Sequence, residues 1–278
     1  MNADVSAVIL TYDRDPSVAE RALKSVLAQT RLPSQIFLAD AGPYSERSEK
    51  LKEICSGAGP AVAYLKIDTP NGNERNAAAA YCTCKWICFL DDDDEWYPDK
   101  TEKQLNAASE GIALVASGYK VENNGKSYDF SPRKTGNPAD LFGENLIGCT
   151  SMQMLLKKRF DEAGGFNPAF KSNQEWELWM RMLPEGEWTV TPDPAGIKHD
   201  GPGTITADPV RRRKGWRALL RYHFADYVRN PEQLERVFWF MSLESGGFGL
   251  ETRRRVYYLI YCVISASLKL RGRIRRSS

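Results

Sequence analysis

Histidine is scarce in this chain of 278 residues, with only His199 and His223. Three of the six cysteines, Cys82, Cys84 and Cys88, sit close together. No second C-x-x-C pair accompanies them and both histidines are far away, so reduced, packed thiols of a cytosolic protein fit better than a zinc centre. The opening MNADVSAVILTYDR has neither the basic start nor the apolar stretch of a secretory signal, and export is not expected. Long apolar runs are also missing: the longest, VYYLIYCVISASL at residues 256–268, would reach roughly 20 Å as a helix against a hydrocarbon core of about 30 Å. It does not span a bilayer unaided. There is no internal repeat or low-complexity tract, and TYDRDPS, after the first apolar run, lacks the glycines of a phosphate-cradling loop.

What is present is an ordinary globular composition, 42% hydrophobic and 27% charged, in a chain long enough for one large domain or one and a half. The net charge of +2 conceals an asymmetry. Residues 1–200 carry 22 basic and 30 acidic side chains, net −8, whereas residues 201–278 carry 16 and 6, net +10. An acidic body with a basic tail points to a cation-using site in the first part and an anionic surface partner for the second.

Apolar runs and amphipathic segments alternate through the first hundred residues. Strands are expected at 5–10, 36–39, 62–67 and 86–90, with helices after Asp15-Pro16, at 46–54 and at 74–82. Such alternation predicts an α/β fold with a mainly parallel sheet and helices on both faces. Ligands in these sheets bind beyond the carboxyl ends of the strands. TYDR, Asp40 and the run Asp91–Glu95 therefore belong at one edge. Beyond it, two strand candidates (112–118 and 152–156) flank a loop-rich stretch, a helix capped by Ser172 or Asn173 covers 172–183, and the pattern turns helical after Pro209.

FLDDDDEWYPDK, residues 89–100, concentrates like charge that repels unless something compensates it. One reading is a site for a divalent, oxygen-loving cation. The other is a solvated acidic turn opening the helix near Pro98. In an extended strand Asp91 and Asp93 would point one way and Asp92 the other.

This stretch resembles the D-x-D motif of the inverting nucleotide-sugar glycosyltransferases of family 2, which have the GT-A fold. VSAVILTYDR resembles that family's first strand and turn, ALKSVLAQT its first helix, FLADAG its second strand, NERNAAAA its Arg-Asn helix start, and ICFLDDDDEWYPDKTEKQL its metal-site segment. FDEAGGFNPAF with QEWELWMRM is similar to its acceptor loop and base helix, so the match runs in order over about residues 4–200. The resemblance implies that Thr11, Tyr12, Arg14, Asp40, Arg75, Asn76, Asp91 and Asp92 bind the nucleotide, with Tyr12 stacked on the base and Asp40 accepting from its N–H. It implies that Asp91, Asp93 and His199 hold Mn²⁺ or Mg²⁺. It makes Glu175 the base that deprotonates the acceptor hydroxyl, with Glu177 as rival, and leaves His223 as a packed or capping histidine. Ala41 and Pro43 depart from the family's usual Asp and Ser or Thr, and Glu175 from its usual Asp.

The resulting expectation is a GT-A catalytic domain over 1–205, with a nucleotide-sugar half (1–110) and an acceptor half (111–205), followed by a basic, amphipathic helical C-terminal region (206–278). It implies a metal-dependent transfer from a nucleoside-diphosphate sugar, UDP-linked, to a saccharide or lipid-linked saccharide. The rivals are a non-catalytic nucleotide-sugar or glycan-binding protein and a nucleotidyltransferase. VRRRKGW (210–216) and residues 252–276 read together as an in-plane attachment to an anionic membrane, which would put the protein on the cytoplasmic membrane's inner face. The other reading of the tail is a helix packed on the domain. No nucleic-acid recognition module is visible.

Overall fold

The computed structural model of the chain describes residues 3–69, 73–135, 137–201 and 208–277. The first part runs β1 (Ala3–Thr11), α1 (Pro16–Leu27), β2 (Pro33–Asp40), α2 (Glu46–Gly57), β3 (Val62–Lys66), α3 (Glu74–Ala79) and β4 (Trp86–Asp91). The second is β5 (Glu95–Trp96), α4 (Lys100–Ala107), β6 (Leu114–Asn123), β7 (Lys126–Phe130), α5 (Asp140–Gly143), a 3₁₀ turn (Thr150–Met152), β8 (Met154–Leu156), α6 (Lys157–Glu162), α7 (Gln174–Met182) and β9 (Trp188–Asp200). Four helices follow: α8 (Pro209–Tyr222), α9 (Phe224–Arg229), α10 (Pro231–Gly247) and α11 (Glu251–Ser277).

The sheet order is β3-β2-β1-β4-β8-β6-β9-β5, with β7 added to β6. The expected parallel half is β3-β2-β1-β4, and β6 with β9 is parallel too. Antiparallel pairings enter only through β5, β7 and β8. Alternation along β1 and β4 makes two cores. Val5, Ala7, Ile9, Trp86, Cys88 and Leu90 face the helices α1 and α2, while Val8, Ile87 and Phe89 face α3, α6 and α7. The first residue past that pattern, Asp91, emerges on the α3 and α7 side.

Two strands in the second half differ from expectation. The strand expected at 112–118 runs to Asn123 and turns back as β7 through Asn124 (φ 49°) and Gly125 (φ 77°), the left-handed pair that a two-residue hairpin requires. The strand at 152–156 begins as a 3₁₀ turn and is strand only from Met154. β9 crosses two prolines, and its pairing with β6 shifts register beside Pro194.

The domain boundary expected at 205/206 lies outside the described residues. On its far side, Trp216, Leu219, Tyr227, Val237 and Met241 are buried in the same core as Trp176 and Trp179 of α7. Helices α8 to α10 are thus packed into the catalytic body. Gly215 lets this happen, since a Cβ there would fall 2.9 Å from the backbone oxygen of Ser172. Among the described residues, no helix is long and apolar enough to cross a membrane.

Gly215→Ala is expected to push α8 off the 170–173 loop and to lower stability by about 1–3 kcal/mol. Urea unfolding measures this; a variant as stable as the parent would show that the close approach is not needed.

Candidate active site

Because β1, β2 and β4 are parallel, their last residues reach one edge, and a cleft of about 680 Å³ opens there between that edge, the start of α7 and the first turns of α8. Its sheet-side wall holds Tyr12, Arg14, Arg75 and the aspartate run; Glu175, Lys198 and His199 face them.

The aspartate run is not an extended strand beyond Asp91. A turn begins there, closed by the Asp94 N–H donating to the Asp91 carbonyl at 3.0 Å. Asp91 accepts from Arg75, which also donates to Gln174 Oε1 at 3.2 Å. Burial opposes the Arg75 charge, but the attraction of Asp91 outweighs it and raises the guanidinium's pKa. Asp93 pairs with Arg14 Nη1 at 2.7 Å, and its carbonyl accepts from Arg21 Nη2 at 2.8 Å. Asp92 corrects the strand-based expectation that it points away: the turn folds it inward, 4% exposed, with Arg14 Nε at 3.5 Å. Burial pushes its pKa to about 6 against the pull of Thr11 and Arg14. Asp94, 2% exposed, accepts from the His199 N–H at 3.0 Å. Burial and then the charges of Asp91 and Asp93 push it to about 8.

Of the nucleotide residues expected, Tyr12 stands at the cleft mouth, 63% exposed, with its ring available for stacking. Thr11 is buried behind it and does not line the cleft. Asp40 is fully buried and faces away from the cleft. Its carboxylate accepts from Ser48 Oγ (2.7 Å), Tyr64 Oη (2.9 Å), the Gly42 N–H (3.0 Å) and Arg47. Burial alone would raise its pKa, but these donors hold it below the usual carboxylate range. These bonds hold β2, β3 and α2 together, and the Asp40 side chain does not line the cleft. Ala41, one residue on, is what lines the cleft. Asn76 is likewise a clamp: it donates to the Phe166 carbonyl and accepts the Phe166 N–H, each at 2.8 Å. It does not line the cleft.

Glu175, in the first turn of α7, lines the cleft; its carboxylate accepts from its own backbone N–H and makes no ion pair with a described residue. Burial raises its pKa, only partly offset by Arg212 and Arg75 on either side. A carboxylate that is partly desolvated and without an ion-pair partner is suited to take a proton. Glu177 is not: it is 1% exposed, gripped by Arg181 at 2.6 Å, and held below the ordinary range by His223 and Arg181 despite burial. His223 ends α8 and opens α9, packed between Glu177 and Asp226.

His199 lines the cleft, but its Nε2 meets Glu95 Oε1 at 2.9 Å rather than Asp91 or Asp93. Among the described residues no three of His, Cys, Asp and Glu converge as a ready-made ligand set. The hard carboxylate oxygens of Asp91 and Asp93 still fit Mg²⁺ or Mn²⁺ in the manner in which one or two carboxylates share the ion with substrate phosphates.

Sequence reasoning missed the opposite wall. Arg211, Arg212 and Lys214 line the cleft together with Lys171. Asp208 accepting from Val210 N–H, with Pro209 at the first helical position, starts α8 so that Arg211, Arg212 and Lys214 of the RRRK run reach the cleft. The signal was an N-cap beside a charge run, whose facing side depends on tertiary packing.

Comparison with known proteins follows the same lines. The family model "Glycosyl transferase family 2" matches residues 6–170. The amylovoran biosynthesis glycosyltransferase AmsE of Erwinia amylovora is 24% identical over 261 residues, covering 92% of this chain and 91% of the relative. S. aureus TarS 1-349 in complex with UDP-GlcNAc shares the fold at a TM-score of 0.66 and 14% identity, over 89% of this chain and 73% of that one. The mannosyltransferase PcManGT from Pyrobaculum calidifontis, in complex with GDP-Man and Mn2+, shares it at 0.60 and 13% identity, over 97% and 88%.

Asp40→Asn leaves Arg47 buried beside a neutral partner and is expected to destabilise the protein by about 3–5 kcal/mol at pH 7. Asp40's folded pKa is depressed, so its stabilisation is complete above the unfolded pKa of about 3.9 and is lost as pH falls through the folded value. The gap between variant and parent should therefore narrow in acid. Urea titrations at pH 7 and at pH 3 check this; a stable variant with weakened nucleotide binding would restore the nucleobase role.

Proposed function

The chain belongs to glycosyl transferase family 2 and is a glycosyltransferase of GT-A fold, and from that premise we propose that it transfers a sugar with inversion from a UDP-linked donor to a hydroxyl of a saccharide or lipid-linked saccharide. The observation that carries the reading is Glu175, a carboxylate with a raised pKa and no ion-pair partner among the described residues, in the same cleft as the Arg75–Asp91 and Arg14–Asp93 pairs. AmsE, named for amylovoran biosynthesis, supports a surface polysaccharide as the product class.

In the proposed reaction the nucleobase lies against Tyr12 at the mouth, and Arg75 and Arg14 meet the diphosphate. The acceptor hydroxyl oxygen attacks the anomeric carbon from the face opposite the leaving diphosphate, and Glu175 takes its proton. The bond from the anomeric carbon to the diphosphate oxygen breaks, and the nucleoside diphosphate leaves with that electron pair. A divalent ion held by Asp91 and Asp93, when bound, neutralises charge on the diphosphate. Arg14 and Arg75, paired with Asp93 and Asp91, stand beside the place where the diphosphate would lie and would present their guanidinium N–H groups to its oxygens. Asp92, beneath Arg14, fixes where that guanidinium sits.

The membrane forms the second element of this proposal. Val256, Leu259, Val263 and Leu270 share one exposed side of α11, while Tyr258 and Tyr261 on its other side meet Trp239 of α10. Arginines 253 to 255 stand at one end of this apolar face and Lys269 at the other. An apolar face flanked by basic residues is suited to lie in the headgroup boundary of an anionic leaflet. This would hold the enzyme on the inner face of the cytoplasmic membrane, within reach of a lipid-linked acceptor.

Glu175→Gln is expected to lower transfer by about 10²–10⁴-fold while leaving donor affinity near that of the parent. The raised Glu175 pKa puts the acid limb of the parent's rate profile above that of an ordinary glutamate, with activity lost as pH falls through it. The variant should lack that limb. Nucleotide release from UDP-sugars with Mn²⁺, followed across pH, measures both; unchanged transfer would remove Glu175 as the base.

A chain ending at Gly249 should no longer sediment with anionic lipid vesicles that carry down the full chain. Continued sedimentation of the shortened chain would place membrane binding elsewhere.

A further inference from the structure

The two walls of the cleft differ in charge. On the sheet side, Asp91 and Asp93 each have an arginine of their own, and Asp94 has the His199 N–H, with Lys198 adding a weaker attraction. On the α8 side, Arg211 and Lys214 stand three residues apart, one turn of helix, so both face the cleft. Neither is compensated by the aspartate run. Among the described residues, the Arg211 guanidinium, 54% exposed, meets only Asp208, at 3.4 Å, and Lys214, exposed, makes no hydrogen bond or ion pair. Arg212 between them is anchored instead: Nε donates to Glu244 at 2.6 Å and Nη1 to Asn173 Oδ1 at 2.8 Å.

This wall is rigid. Gly215 lies against Ser172, Trp216 is buried with its Nε1 donating to Glu244 at 2.7 Å, and its ring packs edge-on against Trp176 of α7. Cations free to splay into solvent would hold no ligand in particular; here the backbone that carries them is fixed relative to Glu175. The glutamate lies between two positive charges, Arg75 toward the sheet and Arg212 toward α8. The sheet-side cation faces the proposed donor diphosphate, so the α8 side is where the acceptor enters.

Resting on the donor reading above, we propose that Arg211 and Lys214, flanking the anchored Arg212, bind a phosphate ester carried by the acceptor close to its reacting hydroxyl. Guanidinium forks match phosphate oxygens bidentately, and Lys214 supplies a point charge beside them. A neutral saccharide would leave this wall facing an unmatched surface. The phosphate can belong to a lipid carrier joined to the first sugars or to the glycan itself, since the contacting chemistry is the same. As a consequence, acceptors of equal sugar content are ranked by where their phosphate lies, not by length alone.

The test uses inorganic pyrophosphate as probe on the full chain, followed by tryptophan fluorescence, since Trp176 and Trp216 lie under the wall. With UDP and Mn²⁺ present at saturation, pyrophosphate should still bind, and the double variant Arg211→Glu with Lys214→Glu should bind it at least about tenfold more weakly, the loss of two charge-assisted contacts. Lys214→Arg should keep the affinity, which separates lost charge from a damaged fold. Undiminished binding by the double variant, competitive displacement of pyrophosphate by UDP, or glucuronate competing as well as pyrophosphate would each overturn the proposal. Glucose 1-phosphate and a polyprenyl phosphate in neutral vesicles are then compared as competitors; stronger competition by either supports the site and identifies the source of the phosphate. If UDP does not bind at all, the donor reading fails, and the pyrophosphate comparison between parent and variants still decides the α8 site.

Discussion

Like charge at the end of β4 is the constraint around which this molecule is arranged. Four aspartates and a glutamate follow one another, and each is met by a polar group: Arg75 for Asp91, Arg14 for Asp92 and Asp93, the His199 N–H for Asp94, and the His199 ring and Arg21 for Glu95. The compensating groups come from the loop after β1, from α1, from α3 and from β9. An acidic turn of this kind cannot be assembled before those elements are in place, so the charge cluster also specifies the tertiary fold. The compensation is incomplete by design of burial: Asp92 and Asp94 retain pKa values raised to about 6 and about 8, which leaves the turn favourable toward a further positive charge.

Arg75 carries that constraint across the cleft. By joining Asp91 to Gln174 it ties the acidic turn to the residue just before Glu175, and Gln174 in turn donates to the Phe170 carbonyl at 2.6 Å. Asn76, next to Arg75 on α3, clips the same helix to Phe166. Two neighbouring residues thus tie the acidic turn and α3 to the loop before α7 and to its first turn, and in the proposed reaction this fixes the separation of donor and base. Asn173 adds the third fastening. Its left-handed backbone (φ 59°) opens α7, and its side chain receives Arg212 from α8 instead of capping the helix.

Much of this was legible in the sequence because it depends on local pattern. The parallel strands, the shared edge and the position of Glu175 follow from period-2 runs, helical spacing and family-like motifs, all of which survive in a chain read without its neighbours. What was not legible depends on which side chains meet. Asp40 sits in a motif that suggests ligand binding, yet burial among Ser48, Tyr64 and Arg47 makes it a fastening of β2 to α2. Asp92 was assigned by strand alternation, but the strand ends one residue earlier and a turn decides its direction. The β6–β7 hairpin did carry a readable signal, Asn124-Gly125, inside a stretch otherwise read as loop. The RRRK run is the clearest limit: a charge run has no intrinsic facing direction, and Gly215 and Trp216, packing on α7, give it one.

That orientation changes what the C-terminal helices are for. An appendage that only anchored the protein would not need a buried tryptophan, a glycine-mediated contact with the loop before α7, or an arginine bonded to the residue that opens α7. α8 meets all three conditions, whereas α11, with its exposed apolar face, meets none. The basic excess of the last 78 residues therefore divides between two tasks at two distances from the chemistry. One part forms a wall of the cleft opposite the acidic turn, so that Glu175, the proposed base, lies between an acidic, cation-favouring side and a basic, anion-favouring side. A field of that polarity orients a donor and an acceptor by their charges before any sugar contact is made. Short-range contacts are then left to choose the sugar.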